Sequence, residues 1–261
     1  MHSHINFGYP TAIIYGHLLV TAVVLPLALL AWFRQWAKWI LVTTAILTVW
    51  SLSAFAMVRF GIDLNGRVTM PTQSFLASGT GRVLDMGAGT GRSSIMVLEA
   101  RPNCTLVALD LFGEQYDKHF ATDGKTQDVT QIGRERLLAN FRAAGVDQRA
   151  SIQPGDMRDM RFDPATFDAI VSAYSIDHLD TNGIHQSLAE AVRVLKPKGE
   201  FLLILISRDA WMNYLWSPVL GHSGTRPPAR WTELLNEAGF DVAEQGAQPA
   251  TLYFLARKHL P

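Results

Sequence analysis

The chain has 261 residues, with 23 basic against 23 acidic side chains and 48% hydrophobic residues. A net charge of zero without any basic stripe excludes an electrostatic nucleic-acid binder, and the single cysteine, Cys104, excludes an internal disulfide framework. The balance is unevenly spread: residues 1–62 contain no Asp or Glu and only Arg34, Lys38 and Arg59 as full positive charges, which leaves a slightly acidic remainder.

Thr11 to Phe33 is a 23-residue stretch free of charge, and Trp39 to Val58 gives another 20. Crossing the hydrocarbon core takes about 20 mostly apolar residues, so both runs qualify as membrane spans. The connector Arg34-Gln35-Trp36-Ala37-Lys38 is too short to permit anything but an antiparallel hairpin. Trp32, Trp36 and Trp39 gather at the connector end, as aromatic residues do at headgroup level. Pro26 is tolerable in lipid, and Thr44, Thr48 and Ser51 share a face suited to the helix–helix contact. A cleaved signal peptide fits less well, because Met1-His2-Ser3-His4 lacks Lys or Arg and the apolar run is too long. Two full-length uncharged spans in succession also argue against a buried soluble hairpin. Residues 1–60 are therefore expected to form a two-pass transmembrane hairpin, with spans of about 11–33 and 39–58. Residues 61–80, which include Pro71 and Ser78-Gly79-Thr80-Gly81, read as a linker, and residues 81–261 as one α/β domain.

After residue 80, strand and helix patterns alternate, the signature of a doubly wound, mostly parallel sheet. The first strand runs Val83-Leu84-Asp85-Met86 into Gly87-Ala88-Gly89-Thr90-Gly91. Glycines there permit a tight turn and let backbone N–H groups approach a ligand at the mouth of the next helix. The spacing is D-x-G-x-G-x-G and not the dinucleotide G-x-G-x-x-G, so a nicotinamide-dependent oxidoreductase is disfavoured. The added carboxylate favours a ligand that carries a positive group. Further strands are expected at Thr105–Asp110, Ala150–Gln153, Asp168–Ala173, Glu200–Ile206, Phe240–Glu244 and Thr251–Ala256, the last two joined by a short Gly-containing turn. Three helical stripes are core faces: Leu137, Leu138, Phe141 and Ala144; Leu188, Ala191, Val192 and Leu195; and Trp231, Leu234, Leu235 and Ala238. Asp110 ends the second strand 19 residues after Gly91, where an acidic side chain can accept from ribose hydroxyls.

These motifs, in this order, resemble the class I S-adenosylmethionine-dependent methyltransferases over roughly residues 80–257. The resemblance implies a seven-stranded sheet with an antiparallel terminal hairpin, and S-adenosylmethionine as cofactor. It assigns cofactor binding to Asp85, Gly87, Gly89, Gly91, Asp110, Leu111, Asp156, Met157 and Tyr174. In Pro154-Gly155-Asp156-Met157 the carboxylate would accept from the adenine amino group while the next backbone N–H meets the ring. Leu195-Lys196-Pro197-Lys198-Gly199-Glu200 matches the family's turn into the fifth strand and reads as structural. His178, just past the fourth strand, is the candidate general base, against a packing or capping role. Tyr116, Asp117 and His119 lie in a long segment that could close over the cofactor or simply be solvated. The aromatic segment Trp211-Met212-Asn213-Tyr214-Leu215-Trp216 could line an apolar pocket, dock at the bilayer or pad the sheet. No metal-ligand spacing is present.

Together these features predict a membrane-anchored methyltransferase, with its catalytic domain facing the cytoplasm where the cofactor is made. The acceptor is expected to be small and apolar: a lipid or quinol, or a small thiol. The alternative is a membrane adaptor that keeps the cofactor-binding fold without catalysis.

Overall fold

The computed structural model describes residues 5–8, 11–63, 66–112, 127–207, 214–215, 226–248 and 250–259, with backbone only for 11–13 and 127–132. Helix α1 (Thr11–Phe33) and helix α2 (Lys38–Ala56) form an antiparallel pair, and a π-helical turn, Met57–Ile62, extends α2. Ile14–Phe33 and Lys38–Ile62 are long and apolar enough to cross a membrane, and only 17% of each hydrophobic window is buried. Their outward faces expose Leu19, Val23, Trp32, Trp39 and Ile46. The inward seam is polar: Thr21 and Ser51 share a hydrogen bond of 2.7 Å, and Thr48 and Ser51 are buried. Pro26 sits inside α1 without ending it.

Among the described residues, seven strands form one mixed sheet. They are β1 (Thr80–Met86), β2 (Asn103–Asp110), β3 (Ala150–Pro154), β4 (Phe167–Ala173), β5 (Leu195–Ile206), β6 (Phe240–Gln248) and β7 (Thr251–Lys258). The order is β3-β2-β1-β4-β5-β7-β6, parallel except for β7, which runs antiparallel to both β5 and β6. Consecutive residues of the central strands serve opposite faces: Leu84 and Ile170 enter one core, Val83 and Val171 the other. Burial on both faces explains their near-continuous apolar sequence. The covering helices are α3 (Arg92–Ala100), α4 (Gln127–Ala144), α5 (Thr181–Val194) and α6 (Pro228–Ala238). Asp180 caps α5 by accepting from the Gly183 N–H at 2.7 Å, and Gly239, at φ 100°, ends α6.

Four expectations need correction. Residues 66–80 are not a free linker, since Met70, Phe75 and Leu76 are buried in the second core and Arg101 donates to the carbonyls of Phe75 and Gln73. Leu138 is exposed although its stripe partners Leu137 and Phe141 are buried. The 195–199 stretch is itself strand, with a register shift opposite Phe167–Ala169. Gly246 lies within β6, paired with Tyr253, and not in the turn; a Cβ there would sit 2.6 Å from the Tyr253 ring.

Candidate functional site

The loop after β1 is held over the end of β2. The N–H groups of Gly87 and Ala88 both donate to the Leu109 carbonyl, at 2.9 and 3.0 Å, and Gly91 donates to Ala88. All three glycines have positive φ, for different reasons. A Cβ on Gly87 would lie 1.7 Å from Ser175 Oγ and 2.9 Å from Met157 Cε. On Gly91, which caps α3, a Cβ would lie 2.5 Å from Leu137 Cδ1. A Cβ on Gly89 would meet nothing within 4 Å. Two glycines thus make room for protein, and Gly89 alone faces open space.

The acidic residues divide likewise. Asp85 does not meet the ligand space directly as expected: it is fully buried behind the loop and accepts from the hydroxyls of Ser93 and Ser94 at 2.7 and 2.5 Å. Burial pushes its carboxyl up to about 6, against the lowering effect of the two serines. It braces β1 to α3. Asp110 stands at the loop, with one oxygen accepting from the Gly89 N–H and the other from the Leu111 N–H, both at 2.7 Å. Burial raises its pKa while these two amides pull it down. A carboxylate offers about four lone-pair sites, so acceptor capacity for hydroxyls remains. Asp156 is gripped by its neighbour, accepting from the Arg158 backbone N–H at 2.9 Å and from its guanidinium at 2.7 Å. The structure therefore gives Asp156 an ion-pair partner where the resemblance suggested an adenine contact. Met157 reaches over Gly87.

Beside the loop lies a cavity of about 410 Å³. Gly87, Gly89 and Tyr174 line it; Gly91, Asp110, Leu111, Asp156, Met157 and His178 do not. Tyr174 adopts φ 52°, and its hydroxyl pairs with Thr251 Oγ1 at 2.8 Å. His178 sits exposed on the 3-10 turn Ile176–His178. Within the cavity wall, the described titratable side chains are Arg92 and Tyr174. Tyr116, Asp117, His119, Trp211, Met212, Asn213 and Trp216 fall outside the described residues. Tyr214 and Leu215 meet the hairpin: Trp50 Nε1 donates to the Tyr214 carbonyl at 2.8 Å, and His17 Nε2 lies 2.9 Å from that of Leu215.

Sequence reasoning missed Phe7, Ile62, Val68, Ile204, Gln248 and Thr251 in this wall. Ile204 and Thr251 sit where strand ends open on the crevice, a position the sheet topology predicts. Asn140 was missed too, although a buried Asn between Leu137 and Phe141 on an apolar helix stripe is a readable signal.

The glycine turn and the acid at the end of β2 lie within residues 83–199, which match the family model described as a methyltransferase domain; β6 and β7 complete the sheet beyond that segment. Residues 83–199 carry a methyltransferase domain. Among curated proteins, it is 25% identical over 152 residues to the ubiquinone/menaquinone biosynthesis C-methyltransferase UbiE of Geotalea daltonii, covering 58% of this chain and 56% of that one. It is 24% identical over 190 residues to the reducing polyketide synthase grgA of a Penicillium species, covering 65% of this chain and 7% of that protein. The chain thus spans about half the length of the first relative and a small part of the second. Among solved structures, the methyltransferase SibL in its apo form superposes with a TM-score of 0.54 at 19% identity, over 69% of this chain and 50% of that one, which shows the fold.

The methyltransferase domain's residues fit its cofactor. Gly89 leaves open the space a ligand needs, Asp110 retains lone pairs toward hydroxyls, and the cavity adjoins both the loop and Tyr174. When bound, S-adenosylmethionine supplies a methyl group already activated on a sulfonium. The protein has to align the acceptor and exclude water.

Proposed function

We propose that this protein is a membrane-anchored methyltransferase that transfers the methyl group of S-adenosylmethionine to a small, apolar acceptor. The observation that carries this is the cavity itself: the glycine loop lines it together with apolar side chains such as Phe7, Ile62 and Val68. The 410 Å³ it encloses suits a ring-sized acceptor beside the methyl group. Of the expected acceptor classes, the name of the UbiE relative favours a quinol. A quinol ring carbon would bond to the methyl carbon as the carbon–sulfur bond breaks. The electron pair stays on sulfur, and the ring then loses its proton to solvent.

Such a nucleophile is made electron-rich by its own hydroxyls, so the exposed position of His178, outside the cavity wall, is no obstacle. The α1–α2 hairpin anchors the enzyme with both termini in the cytoplasm, the compartment that holds the cofactor. The full-length protein should remain with membranes through carbonate extraction. With labelled cofactor it should methylate a demethylated quinol in preference to a thiol panel. Label appearing only in thiols would replace the quinol with a diffusible acceptor. Binding of S-adenosylhomocysteine without any transfer would leave the adaptor reading.

A further inference from the structure

The cavity occupies one half of the crevice. The expected nucleoside contacts, Asp110 and Asp156, lie at the ends of β2 and β3, on one side of the point where the sheet order reverses between β1 and β4. The cavity runs the other way, over the ends of β1, β4, β5, β7 and β6, where it meets Gly87, Tyr174, Ile204, Thr251 and Gln248. Its outer wall comes from the two chain segments that flank the hairpin. Phe7 stands four residues before α1, while Ile62 ends the turn that extends α2.

These flanks are bolted to the cofactor loop. Asn140 receives the Asn6 N–H at 2.9 Å and donates to the carbonyls of Asn6 and Thr90, at 3.0 and 2.9 Å. Thr90 Oγ1 donates to the Phe7 carbonyl at 2.8 Å. Arg92, at the start of α3, reaches both flanks: its guanidinium lies 6.0 Å from the centre of the Phe7 ring and donates to the carbonyls of Asp63 and Gly66. On the hairpin side, Ile62 lines the cavity and packs against the buried apolar cluster of Ala54, Val58 and Leu215 at the base of α2. An acceptor arriving from water needs no such wall. A wall made of the anchor's own ends, continuous with an apolar helix face, suits one that arrives from lipid.

Resting on the methyl-transfer reading, we propose that the acceptor is a membrane-resident, predominantly apolar molecule that enters the crevice from the base of the hairpin, passing between Phe7 and Ile62. Its tail stays along α2 while its head reaches the glycine loop.

The test uses the full chain in phosphatidylcholine vesicles, with a nitroxide attached at Ile62→Cys and, separately, at the exposed wall position Thr69→Cys. Cys104 is fully buried and does not compete for label. Expected results are preferential collision of the Ile62→Cys label with lipid-soluble oxygen over a water-soluble nickel chelate, and loss of the mobile spectral component when a polyprenyl-tailed hydroquinone is added to the vesicles. The tail-less hydroquinone should leave both spectra unchanged. Water-like collision at position 62, immobilisation by both quinols alike, or immobilisation by neither would overturn the proposal. Calorimetry with S-adenosylhomocysteine on the same protein judges the underlying reading separately: if it fails to bind, the methyltransferase assignment falls whatever the labels show.

Discussion

Replacing Gly89 with alanine separates ligand space from protein packing. Its backbone has φ 52°, which a Cβ-bearing residue adopts at a cost of roughly 1–2 kcal/mol. No protein atom lies within 4 Å of the new methyl, so no packing penalty adds to that figure. The methyl does project into the space assigned to the cofactor, and affinity for S-adenosylhomocysteine should fall by at least about tenfold, or 1.4 kcal/mol. Gly91→Ala is the matched control. Its φ of 92° lies beyond the left-handed well that 52° occupies, so its backbone strain is larger, and its methyl would also meet Leu137 Cδ1 at 2.5 Å and Phe141 Cε1 at 3.0 Å. Overpacking adds about 1–3 kcal/mol, so Gly91→Ala should be clearly the less stable variant. Thermal unfolding and calorimetric titration of both proteins give the four numbers needed. Wild-type affinity in Gly89→Ala, or equal destabilisation of the two variants, would refute the assignment of Gly89 to the ligand.

Asp110→Ala removes the acceptor for the Gly89 and Leu111 amides; a loss of about 1–3 kcal/mol in cofactor binding is expected by calorimetry, and unchanged binding would remove Asp110 from the site. Asp85 carries a pH signature. Its folded pKa, raised from 3.8 to about 6, means the folded state holds the proton more tightly, so the group disfavours folding progressively as pH rises from about 4 to 6 and fully above that. The shift corresponds to about 3 kcal/mol, and denaturant unfolding of Asp85→Asn should lack this component; parallel pH profiles for variant and wild type would sink it. Asn140→Leu breaks three buried or half-buried hydrogen bonds to the hairpin flank and the glycine loop. It should cost about 2–4 kcal/mol of stability and weaken S-adenosylhomocysteine binding. Weakened stability with intact binding would show that the flank does not shape the loop.

The sheet was legible because its determinants are local. Each strand is a short apolar run bounded by turn residues, and D-x-G-x-G-x-G occupies seven consecutive residues at the end of β1 and in the loop that follows. The hairpin was legible from the absence of charge alone. What the sequence concealed were long-range contacts. Phe7 and Asn140 are separated by more than a hundred residues, and no periodicity connects them. Residues 66–80 look like a linker because Pro71 and the Ser78-Gly79-Thr80 run interrupt a stretch without periodicity, yet three large apolar side chains there are buried. The same logic explains Asp85: motif spacing says that an acid is needed at that position, and burial behind the loop, with two serines on α3 as donors, shows that it serves the turn's architecture. Gly91 is a similar case, a cofactor motif glycine whose space is taken by α4.

The distances between anchor and crevice are short enough to matter for mechanism. Ile62 ends the helical turn after α2 and Val68 already lines the cavity. Six residues, even fully extended, span only about 20 Å. With Phe7 hydrogen-bonded to the loop on the other flank, the crevice cannot drift away from the helix bases as it would on a long flexible tether. A linker of that kind would present the site to the whole cytoplasm and dilute any advantage of anchoring. With the hairpin in a bilayer, as proposed, the mouth of the site would stay at the hairpin base, and an acceptor confined to that bilayer would meet it by lateral diffusion. For a water-soluble acceptor the same rigidity would bring nothing and would block part of the approach. The short double attachment is therefore the feature that supports the proposed lipid-borne acceptor over a diffusible one.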